Sequence, residues 1–364
     1  MKKILILTSE FGKGHMSVAK HLLTALESTG ECEAKIIDFG DFAKGPFSHS
    51  HKSYDTATKH VPKAWQIFFD LTNDDKTIHR LGKIQLKMTM KSGLELFRKE
   101  KPDLVVITFA GWVYTASKIA KKYDPRLKVV SLTTDSISIH RSWTLGDIDE
   151  LIVPDKDTAE TVIESGVDAN IVQALGYPVN PELFDEKFDK AGFAKNLGFD
   201  PTKKTVLLIP TLLNKQKTLD LIQSIQDSKQ YNLAVICGRD KELYKKLKDQ
   251  IKGDNFHLIG WTNKMASYML ASDLVITKAG GSTVQECIAA KKPMILNQIV
   301  PGQEQGNALF VEKNHLGLVA LTNNEIVSAV EKVFDNYDFY MNNLAQVSTP
   351  DAAKKIAEYL ITLC

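Results

Sequence analysis

Twelve short aliphatic runs, interleaved with helical patterns and grouped in two sets of six, constrain this chain more than any other feature. The first set occupies residues 4–8, 34–38, 104–107, 129–133, 150–153 and 171–175, with helical patterns at 15–29, 110–123 and 156–165. The second occupies residues 205–210, 233–237, 257–259, 274–277, 293–296 and 318–321. Runs that are apolar on both faces are strands covered by helices on both sides, which is the signature of a parallel sheet. Between the sets the chain reads Gly176-Tyr177-Pro178-Val179-Asn180-Pro181, a break neither a helix nor a central strand tolerates. The expectation is an α/β chain of two doubly wound domains, 1–178 and 179–344, with a closing helix in 345–364 that packs back on the first domain. Such domains bind ligands at the carboxyl ends of their strands, where the strand order reverses, and two joined by a short hinge leave a cleft between them.

Composition removes several classes. Of 364 residues 43% are hydrophobic and 25% charged, which excludes a disordered chain. Forty-six Lys and Arg against 44 Asp and Glu leave a net charge of +2, too balanced for a dedicated nucleic-acid binder. Cys32, Cys237, Cys287 and Cys364 are far apart and form no CxxC pair, so neither a zinc ribbon nor a disulfide scaffold is expected, and the thiols read as those of a cytoplasmic protein. No run approaches the roughly 18 apolar residues of a membrane span. Any membrane contact is therefore expected to be peripheral.

One interval departs from the average. Residues 42–101 carry an excess of six positive charges and four of the nine histidines. Trp65, Phe68 and Phe69 fall at i, i+3, i+4 on a helical pattern, and Leu81, Ile84 and Met88 continue at similar spacing. The segment is either a helical excursion with a solvated basic face or a basic amphipathic surface that rests on anionic lipid.

Four stretches can carry chemistry. Ser9-Glu10-Phe11-Gly12-Lys13-Gly14-His15 links the first strand to the first helix. It is not a Walker A loop, and Ser17 replaces the third glycine of a dinucleotide fingerprint. His15 at a positive helix end is either a neutral imidazole that accepts a proton or a simple cap. Thr133-Thr134-Asp135 ends a strand, followed by His140-Arg141-Ser142-Trp143. Asp135 could orient His15, hold an acceptor hydroxyl, or bond its own turn. The strongest stretch is Thr277-Lys278-Ala279-Gly280-Gly281-Ser282-Thr283-Val284-Gln285-Glu286, where a strand gives way to a helix through two glycines. Helix-start amides there suit a diphosphate, and Glu286 suits two sugar hydroxyls or merely offsets the helix dipole. Pro301-Gly302-Gln303-Glu304-Gln305-Gly306-Asn307-Ala308 offers several polar groups to a polyhydroxylated ligand.

Taken in order, these stretches resemble the signature of the monogalactosyl- and processive glucosyl-diacylglycerol synthases, relatives of the glycosyltransferase that adds N-acetylglucosamine to lipid I. The resemblance covers nearly the whole chain. It implies the GT-B arrangement of two Rossmann-like domains, and an inverting transfer of a hexose from UDP-glucose or UDP-galactose to a lipid, diacylglycerol, without a catalytic metal. It puts the diphosphate at Gly280, Gly281, Ser282 and Thr283, the ribose at Glu286, the sugar hydroxyls at Gln303 and Glu304, and the uracil near Trp261 and Met265. It turns His15 and Asp135 to the acceptor, with Gly12 and Gly14 beside them. It sets Trp65, Phe68 and Phe69 against an anionic membrane surface, so the protein is expected to sit peripherally on the inner face. The chain departs from the family where a second glycine-rich loop usually follows the first strand of the carboxyl domain. Leu208-Ile209-Pro210-Thr211-Leu212-Leu213-Asn214-Lys215 has no glycine. The Thr-Asp…His spacing is also longer than the family's. Three further readings stay open: a UDP-sugar-dependent glycosyltransferase with another acceptor, such as a polyprenyl-linked sugar or a soluble metabolite; a sugar-nucleotide epimerase of similar shape; and a non-catalytic sensor of UDP-sugars.

Overall fold

The computed structural model describes residues 1–10, 12–42, 62–210, 214–228, 230–253 and 255–364, with the side chains at 12, 13, 42 and 62–65 left aside. Phe11, residues 43–61 of the basic interval, and Thr211, Leu212 and Leu213 of the glycine-free loop lie outside the described residues, as does the side chain of Trp65. The chain forms two compact units. One comprises Met1–Val179, Val300–Asn307 and Asp351–Cys364; the other comprises Asn180–Ile299 and Ala308–Pro350. Strand and helix alternation alone would leave Val300–Asn307 with the second unit.

The first unit holds strands β1 (Lys2–Thr8), β2 (Cys32–Asp38), β3 (Leu104–Ile107), β4 (Lys128–Leu132), β5 (Glu150–Val153) and β6 (Val172–Ala174). They form one parallel sheet in the order β2-β1-β3-β4-β5-β6. Helices α1 (Gly12–Thr29), α2 (Pro62–Thr72), α3 (Asp75–Glu100), α4 (Ala110–Tyr123) and α5 (Lys156–Glu164) connect or flank these strands. Leu5, Leu7, Val105, Ile107 and Val129 of the sheet bury against Trp112, Val113 and Ile119 of α4, with Phe97 of α3 completing the cluster. The long helix α3 starts on Asp74, whose carboxylate accepts from the amides of Lys76 and Thr77, a cap worth about 1 kcal/mol. It approaches α4 closely because Gly82 has no side chain: a Cβ there would lie 2.3 Å from the Tyr114 ring.

The second unit repeats the plan. Strands β7 (Lys204–Leu208), β8 (Tyr231–Ile236), β9 (Phe256–Ile259), β10 (Leu274–Lys278), β11 (Met294–Gln298) and β12 (Gly317–Val319) form a parallel sheet in the order β12-β11-β10-β7-β8-β9. All twelve aliphatic runs of the sequence are strands. Helices α6 (Lys190–Asn196), α7 (Lys215–Asp227), α8 (Lys241–Gln250), α9 (Met265–Ala271), α10 (Gly281–Ala289), α11 (Gln305–Lys313), α12 (Asn323–Asp335) and α13 (Tyr337–Val347) follow in chain order. Val206, Leu208, Val235 and Ile276 meet Leu221, Ile222 and Val330 in a dry core. Asp273, at the amino end of β10, ties that edge down: one oxygen pairs with Lys190 at 2.7 Å and the other accepts from the Thr205 amide at 2.8 Å. The final helix, α14 (Ala352–Leu363), belongs to the first unit and packs on α1.

Strand order reverses between β1 and β3 in the first unit and between β7 and β10 in the second. These reversals put the loops after β1, β3, β7 and β10 at the places where open α/β sheets take ligands.

Candidate functional site

In the first unit, α1 begins at Gly12, so Gly12 and Gly14 lie in its first turn rather than in a loop before it. Their amides are among the four that an α-helix leaves without an internal partner. The same turn delivers His15 to the β1–β3 reversal. Its carbonyl accepts from Thr108 Oγ1 at 3.5 Å, just beyond β3. Its ring meets Phe109 edge-on, with centroids 5.0 Å apart, and lies 6.1 Å from the buried Trp143 ring. This apolar setting disfavours the imidazolium, and desolvation pushes the His15 pKa down to about 4. The ring is therefore neutral across the physiological range.

Its Nδ1 lies 3.0 Å from the hydroxyl of Thr134, a buried residue just past β4. The sequence offered Asp135 for orienting His15; the hydroxyl at its Nδ1 belongs to the residue before it. Asp135 itself is half-buried beside this pair. His140 does not join them. Its Nδ1 bonds Ser142, its Nε2 lies 3.3 Å from Thr72 Oγ1, and burial pushes its pKa down to about 4. It pins the end of α2 instead.

Phe68 and Phe69 part company on α2. Phe68 is exposed, along with Ile67 and Leu71, whereas Phe69 turns inward with its ring edge-on to His140 at 4.7 Å. Leu81, Ile84 and Met88 of α3 are exposed too, and the six apolar side chains are 41–66% accessible. Exposed Lys76, Arg80, Lys83, Lys87 and Lys91 are interspersed on α3. The sequence reading missed Ile67 and Leu71, although with Phe68 they make an i, i+1, i+4 stripe.

The strap Val300–Asn307 carries Gln303 and Glu304 and belongs to this unit. Glu304 is buried, its Oε2 accepting from the Val300 amide at 2.9 Å, so this carboxylate braces its own loop. Gln303 is the more accessible of the two. Asn307 Oδ1 accepts from the Ser136 amide at 2.8 Å.

In the second unit, Gly280 is the N-cap of α10, with extended backbone and no side chain capping the helix. The first-turn amides belong to Gly281, Ser282 and Thr283, at the β7–β10 reversal. Glu286 follows one turn on. It is half-buried, and desolvation pushes its carboxyl up to about 7. Beyond β8 and β9, Gly238, Arg239, Lys241, Tyr244, Gly260 and Trp261 line a cleft of ≈ 500 Å³. Trp261 stands at this cleft; Met265, which opens α9, does not line it. Arg239 and Tyr244 escaped the sequence reading, although Gly238, with φ +58°, marks the turn after β8 that carries Arg239 and leads into α8, which carries Tyr244. Among the described residues no three His, Cys, Asp or Glu side chains are grouped to hold a metal ion, and no helix is long and apolar enough to cross a membrane.

Comparison with known proteins places both halves. Residues 15–179 match the family model of monogalactosyldiacylglycerol synthase, and residues 197–360 match the carboxyl-terminal domain of glycosyltransferase family 28. A processive diacylglycerol β-glucosyltransferase of Staphylococcus epidermidis is 31% identical over 346 residues, covering 92% of this chain and 85% of the relative. The chain belongs to this glycosyltransferase family. A namesake from Staphylococcus aureus is 28% identical across 100% of the chain and 91% of its own length. The family's fold is also seen in solved structures of low identity. Acinetobacter baumannii MurG superposes with a TM-score of 0.62 at 12% identity, covering 100% of both chains. Staphylococcus aureus MnaA bound to UDP superposes at 0.65 with 13% identity, covering 100% of this chain and 98% of that one. These likenesses show two Rossmann-like domains of the GT-B kind and carry no more than that.

Proposed function

We propose that this protein transfers a hexose from a UDP-sugar to the free hydroxyl of diacylglycerol at the inner face of a membrane, with inversion at the anomeric carbon. The observation that carries the reading is the family match, which spans both units. Glucose is the sugar in the name of the two staphylococcal relatives, and galactose the one in the name of the amino-terminal family model.

Each residue then has a task. The diphosphate lies on the amides of Gly281, Ser282 and Thr283 with Gly280 giving backbone access, because uncapped helix-start amides and the helix dipole both favour an anion. Glu286 takes the ribose hydroxyls, Trp261 and Arg239 flank the uracil, and Gln303 reads the hexose hydroxyls from a loop that Glu304 holds in shape. The acceptor oxygen attacks the anomeric carbon as the bond to UDP breaks. His15 Nε2, left unprotonated when Nδ1–H donates to Thr134, takes the acceptor proton and later returns it to water. Asp135 is the second candidate for that proton. The charge that grows on UDP falls on the α10 amides, and preorganised donors of this kind supply a large share of many rate enhancements. Ile67, Phe68 and Leu71, with the apolar and basic residues of α3, rest on the anionic lipid surface that holds the acceptor.

The test is UDP release from UDP-glucose and UDP-galactose, with and without diacylglycerol in anionic vesicles. Lipid-dependent release from one sugar supports the reading and names the donor. Release that ignores lipid points to a soluble acceptor, and no release from either sugar by folded protein refutes the reading.

A further inference from the structure

The loop that would read the hexose is seated on the helix that carries the exposed apolar stripe. Gly302 has φ +80° and packs close to Phe69: a Cβ there would stand 2.7 Å from the ring's Cδ1 and 2.9 Å from its Cγ. Phe69 is held in turn by the edge contact with His140. His140 is locked by Thr72 and Ser142, and the following Arg141 anchors the same corner through the Asp75 carboxylate and the Asn73 side chain. The far end of the strap is equally fixed. Asn307 accepts from the Ser136 amide, and Gly306 sits where a Cβ would be 2.2 Å from the Ser136 carbonyl oxygen. Between these two anchors lie Gln303 and Glu304.

We propose that Phe69 is a positioning residue for the donor sugar: its ring seats Gly302, and through it fixes the loop from which Gln303 contacts the hexose. Neighbouring side chains of one helix thus have separate tasks, Phe68 facing outward and Phe69 setting the sugar loop. The inference rests on the hexosyltransfer reading above, but its structural half stands independently of it. A glycine is needed at 302 both for the left-handed backbone and for the ring's approach. A loop braced at one end only would lose the placement that a hydrogen bond to a sugar hydroxyl requires.

The test uses the full chain with Phe69→Ala and the milder Phe69→Leu. Hydrogen exchange is followed at the amides of residues 302–305, and affinities for UDP-glucose, UDP-galactose and UDP are measured by calorimetry. Phe69→Ala is expected to speed exchange at 302–305, whereas Phe68→Ala leaves that exchange unchanged. It is expected to weaken binding of the preferred UDP-hexose by about tenfold, the worth of one well-placed hydrogen bond, and to leave UDP affinity as it was. Phe69→Leu, which keeps apolar bulk, falls between and serves if the alanine variant does not fold. Unchanged exchange at 302–305 would overturn the proposal, as would an equal loss for UDP and UDP-hexose. If the native chain binds neither UDP-glucose nor UDP-galactose, the hexosyltransfer reading fails, and the exchange measurement still decides whether Phe69 seats the loop.

Discussion

Replacing Thr134 by valine tests the proton-transfer assignment more sharply than removing His15. Valine keeps the shape of the side chain, so the buried position stays filled, but it deletes the oxygen 3.0 Å from His15 Nδ1. A neutral imidazole carries its proton on either nitrogen, and only the tautomer with the proton on Nδ1 leaves Nε2 able to accept one. A hydrogen bond of this type is worth about 0.5–1.5 kcal/mol net. Its loss shifts the tautomer ratio by roughly 2- to 13-fold, since 1.4 kcal/mol is about a factor of ten. The expected outcome is a kcat lowered by at most that factor with the UDP-sugar KM unchanged. His15→Ala, which removes the acceptor altogether, is expected to cost about 10²–10⁴-fold. The assay is steady-state UDP release on vesicles with diacylglycerol. Native kcat in Thr134→Val would refute the role of the hydroxyl. A loss as large as that of His15→Ala would show that Thr134 does more than select a tautomer.

Further outcomes follow from other parts of the structure. Because desolvation raises the Glu286 carboxyl to about 7, the group is protonated below that pH and ionised above it; UDP-sugar affinity should therefore fall as pH drops from about 8 to 6, and Glu286→Gln should flatten the profile. An unaltered slope in that variant would remove Glu286 from donor binding. The neutral His15, with its pKa near 4, should contribute no acid limb to kcat between pH 5 and 8. Gly306→Ala forces a methyl into the Ser136 carbonyl, and overpacking of this kind costs about 1–3 kcal/mol; calorimetry should show a lower Tm, and an unchanged melt would mean the strap yields. Replacing Ile67, Phe68 and Leu71 together by serine removes apolar area worth at least about 1.5 kcal/mol, so sedimentation with anionic vesicles should show binding at least tenfold weaker. Equal partitioning of variant and native protein would count against this face as the lipid contact.

The strands were legible because a buried parallel strand needs a short aliphatic run whatever its partners are. Runs such as 104–107 and 274–277 could hardly be anything else. The details of the site were less so, for a common reason. Asn307 meets Ser136 across 171 positions of sequence, and no local pattern links a loop after β11 to the end of β4. Periodicity placed Phe68 and Phe69 within one broad apolar arc, yet successive helical residues point about 100° apart, so packing decided which turned in. At the end of β4, Thr134 and Asp135 are both polar, and the carboxylate drew attention by its chemistry. The hydroxyl that meets His15 Nδ1 is buried, and burial is a tertiary property. The glycine pair at 280 and 281 was readable because a strand-to-helix turn and an uncapped helix start leave a local mark.

The position of α14 bears on how the protein comes to exist. Unit one is interrupted twice, and its closing helix, with Ile356, Ala357, Leu360 and Ile361 all buried, is translated only after every residue of unit two. On the ribosome, α1 must wait for this partner helix until more than three hundred residues have emerged, whereas unit two is already complete. At a few to twenty residues per second that delay lasts many seconds. The exposed face is an early site for chaperones, and shortening the chain by the residues of α14 strikes at the half of the molecule that was made first.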